Sequence, residues 1–178
     1  RNFLNSKIDI IFKLLFELSS IELDIETAEI IFSSFNAIIP FKEQKEDLKY
    51  TIGEKLKYKK MDYIAGWFFK GVEFINSANS KLAFVTTNSI FQGEQVGFVW
   101  EPLLDKMTID FAYTSFKWGN SAANNAGVTV AIVGLANNTN AKSEKYIFDE
   151  TLNRVSANHI NKYLKNRKDI LVKSANAP

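Results

Sequence analysis

Three short apolar runs between residues 81 and 135 constrain the fold more than any other part of the chain. Each is rich in β-branched and aromatic residues and has the length of a buried strand. They are Leu82–Thr86, Ile109–Ser115 and Val128–Leu135. A helix-length segment, Val96–Leu104, separates the first two, and a polar loop, Gly119–Gly127, separates the last two. This alternation predicts an α/β sheet that ends in an antiparallel hairpin.

A helix is predicted directly before the first of these strands. Between Met61 and Ser77, large apolar residues that include Trp67 and Phe68 recur every three or four positions, which is typical of a helix with one buried face. We therefore expect both aromatic rings in the core. The following strand, Leu82–Thr86, is almost continuously apolar, which predicts a parallel sheet covered on both faces. Within the next strand, the order of apolar and polar residues predicts that Ile109, Phe111, Tyr113 and Ser115 share one face.

The chain divides into four segments by composition. Residues 1–40 form a helical segment of two apolar stretches, and residues 41–60 form a charged connector with seven lysines. The connector is either a solvated linker or a mobile basic flap over DNA or a ligand. Residues 61–150 form the α/β core, and residues 151–178 form a basic extension with a short helix and then a strand. Because the chain begins with Arg1, we expect it to be a piece of a longer protein.

Composition excludes several classes of function. The net charge is only +2, so contacts with nucleic acid must come from local patches. The chain has no cysteine, which removes disulfides and thiolate catalysis and fits a reducing, cytoplasmic location. A single histidine, His159, argues against histidine metal sites and Ser-His-Asp catalysis. With one histidine and no cysteine, no metal is an expected partner. No apolar run approaches the roughly 18–20 residues that cross a bilayer, so no membrane is an expected partner either.

Polar residues at the strand ends are the candidate binding residues. Thr87, Asn88 and Ser89 follow the first strand, at the carboxyl edge where open α/β sheets bind ligands. Lys117, Trp118 and the nearby Asn120 stand where the second strand meets the polar loop. These side chains suit a planar ligand that forms hydrogen bonds. The alternatives are that Asn88 and Ser89 only complete a turn and cap a helix, and that Trp118 only packs over the end of the sheet.

Four segments in this order resemble one enzyme family. They read DYIAGWFFKGVEFI, AFVTTNSIFQGEQV, IDFAYTSFKWGNSAANNAGVTVAIVGL and NHINKYLKNRKDILVKSANAP. Together, over about Lys42–Pro178, they resemble the methyltransferase region of fused restriction–modification enzymes (type IIG, MmeI-like), which methylate adenine N6 in DNA. The resemblance implies the C-terminal half of the Rossmann-like fold of methyltransferases that use S-adenosyl-L-methionine as the methyl donor. It also implies double-stranded DNA with a flipped adenine as the partner, and other domains in the same polypeptide, with residues 151–178 leading toward a target-recognition region.

The resemblance also assigns roles to residues. Thr87, Asn88 and Ser89 match the family's TNS loop beside the adenine pocket, and the loop that begins at Lys117 flanks the target base. The family's Asn-Pro-Pro-aromatic tetrapeptide is absent, and only Pro40 and Phe41 match its end, with Phe41 as the candidate to stack on the base. The Gly-rich cofactor loop is also absent, so no cofactor-binding residue is assigned. We expect residues to be missing from the chain near Ile38–Lys45.

The sequence therefore predicts a fragment of a DNA adenine-N6 methyltransferase that is inactive alone. A non-catalytic DNA-binding or scaffold piece with a degenerate methyltransferase fold is the first alternative. A methyltransferase domain that acts on RNA or protein is the second.

Overall fold

A computed structural model describes residues 41–78, 81–118, 128–139, 141 and 144–170 of the 178-residue chain. Several predictions fall outside these residues: the two helical stretches before residue 41, Pro40, the loop 119–127 with Asn120, and the strand expected after residue 170. Within the stretch where residues were expected to be missing, the described part begins at Phe41 and runs directly into a helix.

Five strands form one mixed sheet. They are β1 (Lys81–Thr87), β2 (Met107–Trp118), β3 (Val128–Asn137), β4 (Lys145–Phe148) and β5 (Arg154–Ala157). Their spatial order is β1-β3-β2-β4-β5, and every neighbouring pair is antiparallel except β2 and β4. The three predicted strands are present, and β2 and β3 pair antiparallel as expected. Sequence reasoning missed β4 and β5, because each is only four residues long.

The helices gather on one face of the sheet. They are α1 (Phe41–Ile52), α2 (Ala65–Ala78), α3 (Gly93–Gln95) and α4 (Glu101–Leu104), with a π-helical turn over Val96–Trp100 and 3-10 turns over Tyr58–Lys60 and Asn88–Phe91. Helix α2 approaches β1 so closely that a Cβ atom on Gly71 would lie 2.7 Å from Leu82 Cδ2. Trp67 and Phe68 are buried in the core, as predicted, and the Phe68 ring centroid lies 4.6 Å from that of Phe84 in β1.

The prediction that β1 lies in a parallel sheet covered on both faces is wrong for the described residues. Its neighbour β3 runs antiparallel, and β1 lies at the edge of the described sheet. Phe84 and Thr86 are buried beneath the helices, whereas Ala83 and Thr87 on the opposite face are exposed. An apolar run indicates that a strand has a buried face, but alanine and threonine are also tolerated in water, so the second face was misjudged.

The predicted alternation in β2 is also wrong, because the strand contains a β-bulge. Ile109 pairs with Leu135 and Phe111 pairs with the adjacent Gly134, which leaves Asp110 as the extra residue. Ile109 is therefore buried on the helix side of the sheet, whereas Phe111 lies half-buried on the other side, above Gly134. A single inserted residue reverses the phase of a strand, and the sequence alone did not reveal it.

The charged connector, residues 41–60, is part of the folded domain and not a solvated linker. Leu48 of α1 is fully buried, and Asp47 accepts a hydrogen bond of 2.7 Å from the Tyr63 hydroxyl. Lys45 donates to the Met61 carbonyl oxygen at 2.6 Å, and burial lowers the pKa of Lys45. Amphipathic packing therefore organises a segment that composition alone assigned to the surface.

The short helix predicted in the basic extension is absent from the described residues, which form turns from residue 158 to 170. The Asn161 side chain accepts hydrogen bonds from the Tyr163 and Lys165 amides, both at 3.0 Å. An asparagine that bonds to its own backbone in this way competes with a helix. Leu164 is buried, and the buried Lys162 donates to Glu101 Oε1 at 3.1 Å, so the segment packs against α4.

Candidate functional site

The loop at the carboxyl end of β1 presents three polar side chains. The Thr87 and Ser89 hydroxyl oxygens lie 2.9 Å apart, and both residues are exposed. The half-buried Asn88 accepts a hydrogen bond of 2.5 Å from the Ser115 hydroxyl of β2. This bond orients the Asn88 amide, and within the described part of the chain its nitrogen has no acceptor. The loop therefore offers two amide N–H donors beside two hydroxyl groups.

A buried tryptophan holds this loop in place from below. The Trp100 indole N–H donates to the Ile90 carbonyl oxygen at 2.9 Å, and Trp100 is fully buried. Its ring stacks on Phe91 at a centroid distance of 5.1 Å and meets the edge of Phe68 at 5.4 Å. The hydrogen bond and the stacking on Phe91 both act on the 3-10 turn Asn88–Phe91, so they restrain the turn that carries Asn88 and Ser89.

The ends of β2 and β3 reach the same edge of the sheet as this loop. Thr87 pairs with Val130, and Val130 pairs with Phe116, so the three lie in a row across the sheet. Lys117 is the next residue along β2 and is exposed. Trp118 continues the strand, but its side chain lies outside the described residues, as does Asn120. The structure thus brings Lys117 to the edge that carries Thr87 and Asn88.

Phe41 lies on a different element, at the first residue of α1. Its side chain is 72% exposed, and the Lys45 ammonium lies 5.1 Å from its ring centroid. Gln95, in α3, bridges two backbone groups. Its oxygen accepts from the Asp62 amide at 3.1 Å, and its nitrogen donates to the Lys60 carbonyl at 2.7 Å. This bridge ties the turn before α2 to α3, which follows the polar loop.

Sequence reasoning missed Ser115 as part of the site. The residue was assigned to a face of β2 by its phase, without a partner. A polar residue near the end of an otherwise apolar strand is a weak signal for such a role. Its contact with Asn88, which is 27 positions away in the chain, is decided by the pairing of both strands with β3.

The described residues offer no group of three or more His, Cys, Asp or Glu that could hold a metal ion. His159 instead pairs with Asp169, with 3.0 Å between Nε2 and Oδ2. Strand β1 ends at Thr87 and the 3-10 turn begins at Asn88, so the junction consists of Thr, Asn and Ser without glycine and does not fit the Gly-rich type of cofactor loop. None of the helices in the described part is long and apolar enough to cross a membrane.

Comparison with known proteins gave three matches. The family model described as "MmeI, DNA-methyltransferase domain" matches residues 38–149. DNA methyltransferase A of Bacillus subtilis (strain 168) is 45% identical over 139 residues, which cover 77% of this chain and 16% of that protein. The solved structure of the type IIL restriction–modification enzyme MmeI in complex with DNA is 34% identical, with a TM-score of 0.70. That match covers 80% of this chain and 20% of the MmeI chain.

Proposed function

This chain belongs to the MmeI DNA-methyltransferase domain family, and on that basis we propose that it is part of a DNA adenine-N6 methyltransferase in a restriction–modification system. The protein transfers a methyl group from S-adenosyl-L-methionine to an adenine flipped out of double-stranded DNA. The chain spans 16% of the curated relative and 20% of the solved structure. Other domains of the same polypeptide complete the enzyme, which acts in the cytoplasm, and the fragment alone is inactive.

Methyl transfer to adenine N6 requires hydrogen bonds to the edge of the base and stacking on its face. The exocyclic amine of adenine is a poor nucleophile, because its lone pair is delocalised into the ring. Groups that accept hydrogen bonds from this amine draw the lone pair back toward nitrogen, and an aromatic side chain offsets part of the cost of unstacking. In this chain Phe41 supplies the aromatic face, next to Pro40. The acceptor for the amine lies outside the chain, where the Asn of the tetrapeptide would stand.

The observation that carries the proposal is the oriented amide of Asn88. With its oxygen bonded to Ser115, its nitrogen donates toward the ring acceptors of a purine. Thr87 and Ser89 add hydroxyl groups that can donate or accept, and Lys117 supplies a cation for a phosphate at the same sheet edge. These groups bind and orient the base, while the methyl donor supplies the reacting carbon. Since the glycine-free loop after β1 does not fit the methyl donor, we assign binding of S-adenosyl-L-methionine to other parts of the polypeptide.

The proposal is tested on the full-length protein with labelled S-adenosyl-L-methionine and duplex DNA. Hydrolysis of the product to nucleosides and mass spectrometry should give N6-methyldeoxyadenosine. Label in cytosine, in RNA or in protein would reject the substrate. Binding of DNA without any methyl transfer by the full-length protein would favour the non-catalytic alternative.

Asn88→Ala is expected to lower kcat/KM for DNA methylation by about 10- to 100-fold. A good polar contact to a base edge contributes about 1–3 kcal/mol, and about 1.4 kcal/mol corresponds to tenfold in rate. Ser115→Ala should have a smaller effect in the same direction, because it leaves the amide in place but no longer oriented. Asn158→Ala, at an exposed asparagine, is the matched control. Equal activity of the Asn88 and Asn158 variants would contradict the assigned role.

Phe41→Ala is expected to lower kcat/KM by about 5- to 100-fold, since stacking of a base on an aromatic ring contributes about 1–3 kcal/mol. Phe41→Trp should retain most of the activity, because it keeps a flat apolar surface. Tyr50→Ala removes a second exposed aromatic ring from the same helix and serves as the control. Steady-state methylation rates measure all three variants. If Tyr50→Ala lowered the rate as much as Phe41→Ala, the stacking role would be rejected.

A further inference from the structure

The segment after α1 alternates between anchoring residues and exposed lysines. Leu56 and Tyr58 are half-buried and pack against the core, whereas Lys55, Lys57 and Lys59 are exposed. The lysines therefore project from a backbone that is anchored at every second residue. We call these three residues and the neighbouring Lys60 the lysine platform.

An aromatic ring orders two of these cations. The ammonium groups of Lys57 and Lys60 lie 5.2 and 5.5 Å from the ring centroid of Phe98, which itself packs on the core. Such cation–π contacts hold flexible side chains near one position. Gln95 fixes the end of the platform, because its amide nitrogen donates to the Lys60 carbonyl at 2.7 Å. The platform is thus connected to α3, the helix that follows the polar loop at the end of β1.

The platform carries an excess of positive charge. The Glu94 carboxylate lies 3.7 Å from the Lys60 ammonium. Among the described residues, no carboxylate lies within 4.0 Å, the limit for an ion pair, of the ammonium groups of Lys55, Lys57 or Lys59. A cavity of about 510 Å³ opens here, lined by lysines 49, 57, 59 and 60 and by one acid, Glu54. An anion the size of a phosphate fits such a surface.

A larger groove of about 1050 Å³ lies beside the platform, and it is lined by Phe98 and by three cations, Lys55 and Lys57 of the platform and Lys162. Its three carboxylates, Glu101, Asp105 and Asp169, balance these cations, so the larger groove has no excess of positive charge to attract a phosphate. The charges therefore place an anionic partner on the lysine side of the ring and not in the larger groove.

We propose that the lysine platform binds phosphates of the DNA backbone, at a place separate from the loop that binds the base. The inference rests on the proposed function, which supplies DNA as the polyanion. Exposed lysines on an anchored backbone neutralise phosphates without reading sequence, and each neutralised phosphate releases counterions. The platform thereby adds affinity that depends on salt and not on base identity.

The test replaces three lysines of the platform, Lys55→Gln, Lys57→Gln and Lys59→Gln, in the full-length protein. Fluorescence anisotropy with a labelled duplex, over a range of salt concentrations, gives the slope of log affinity against log salt. The slope should fall in magnitude by about 2 to 3, since each phosphate contributes about 0.9. At low salt the affinity should fall about 10- to 100-fold, equally for duplexes of different sequence. The corresponding triple Lys→Arg variant should keep the original slope.

The control removes three exposed cations from another surface, with Lys165→Gln, Arg167→Gln and Lys168→Gln. It changes the net charge by the same amount and should leave the slope close to that of the unaltered protein. An unchanged slope in the platform variant, or an equal loss in the control, would overturn the proposal. Tighter binding of poly-glutamate than of DNA to the platform would reject DNA as its ligand.

The two proposals fail in different ways. Methylation of adenine with an unchanged salt slope would retain the enzymatic function and reject the platform. A reduced slope in the platform variant, in a protein that forms no N6-methyladenine, would retain the platform and reject the reaction.

Discussion

Asp110→Ala is expected to destabilise the sheet by about 3–5 kcal/mol, which is the usual cost of removing one partner of a buried ion pair. Asp110 is 4% exposed and accepts from the Lys81 ammonium at 2.6 Å and from the Lys145 ammonium at 3.3 Å. Lys145 is itself 6% exposed, and it donates to Thr108 Oγ1 and to the Ile109 carbonyl oxygen. Without the carboxylate, a buried cation remains with neutral acceptors alone.

The defect of this variant should depend on pH. Burial lowers the pKa of Lys145, and Asp110 opposes that shift, so the folded-state pKa falls further in the variant. The unfolded chain then binds more protons than the folded one at pH values between the two pKa values. Under that condition the free energy of unfolding rises with pH. The deficit of the variant relative to the unaltered protein should therefore shrink as the pH rises from 7 toward 10.

Hydrogen exchange in peptides of β2 and β4, corrected for the intrinsic rate at each pH, measures this effect in the full-length protein. Asp105→Ala removes an exposed acid from a nearby turn and should change stability by less than about 0.5 kcal/mol. Adding Lys145→Met to Asp110→Ala should recover part of the loss, because it removes the unpaired charge. A double variant no more stable than Asp110→Ala would show that the buried charge is not the cause.

Trp100→Ala is expected to cost about 3–5 kcal/mol, the usual cost of removing a fully buried indole ring. The milder Trp100→Phe keeps most of the ring but leaves the Ile90 carbonyl oxygen without its donor, at a cost of about 1–3 kcal/mol. This second change should speed hydrogen exchange over residues 88–91, since the loop with Asn88 loses its support, and it should lower the rate of the proposed methylation by the full-length protein.

Phe68→Leu provides the control for the loop effect. It removes the edge contact with Trp100 in the same core but keeps the hydrogen bond to Ile90. It should lower global stability without a selective increase of exchange over residues 88–91. If both variants loosened the loop equally, the hydrogen bond would not be the element that holds it.

The strands and the candidate loop were accessible to sequence reasoning for a simple reason. Runs such as Leu82–Thr86 and Val128–Leu135 can be recognised as strands from their local composition. The TNS loop follows directly after the first of them. The contact that orients Asn88 was not accessible, because Ser115 lies in another strand. The bulge at Asp110 was missed because an extra residue leaves no mark on composition.

The sequence by itself determined the main strands, helix α2 with its buried Trp67 and Phe68, and the similarity to one methyltransferase family. These features depend on the identity and spacing of residues that are close in the sequence, and both can be read from the sequence directly. Only the tertiary structure decided which charged residues are buried. Lys145 is buried together with its partner Asp110, and Lys162 is buried and pairs with the exposed Glu101, whereas Lys57 and Lys59 face solvent on the platform. The sequence alone does not reveal whether a lysine is buried or exposed, because its environment depends on partners that folding brings from distant positions.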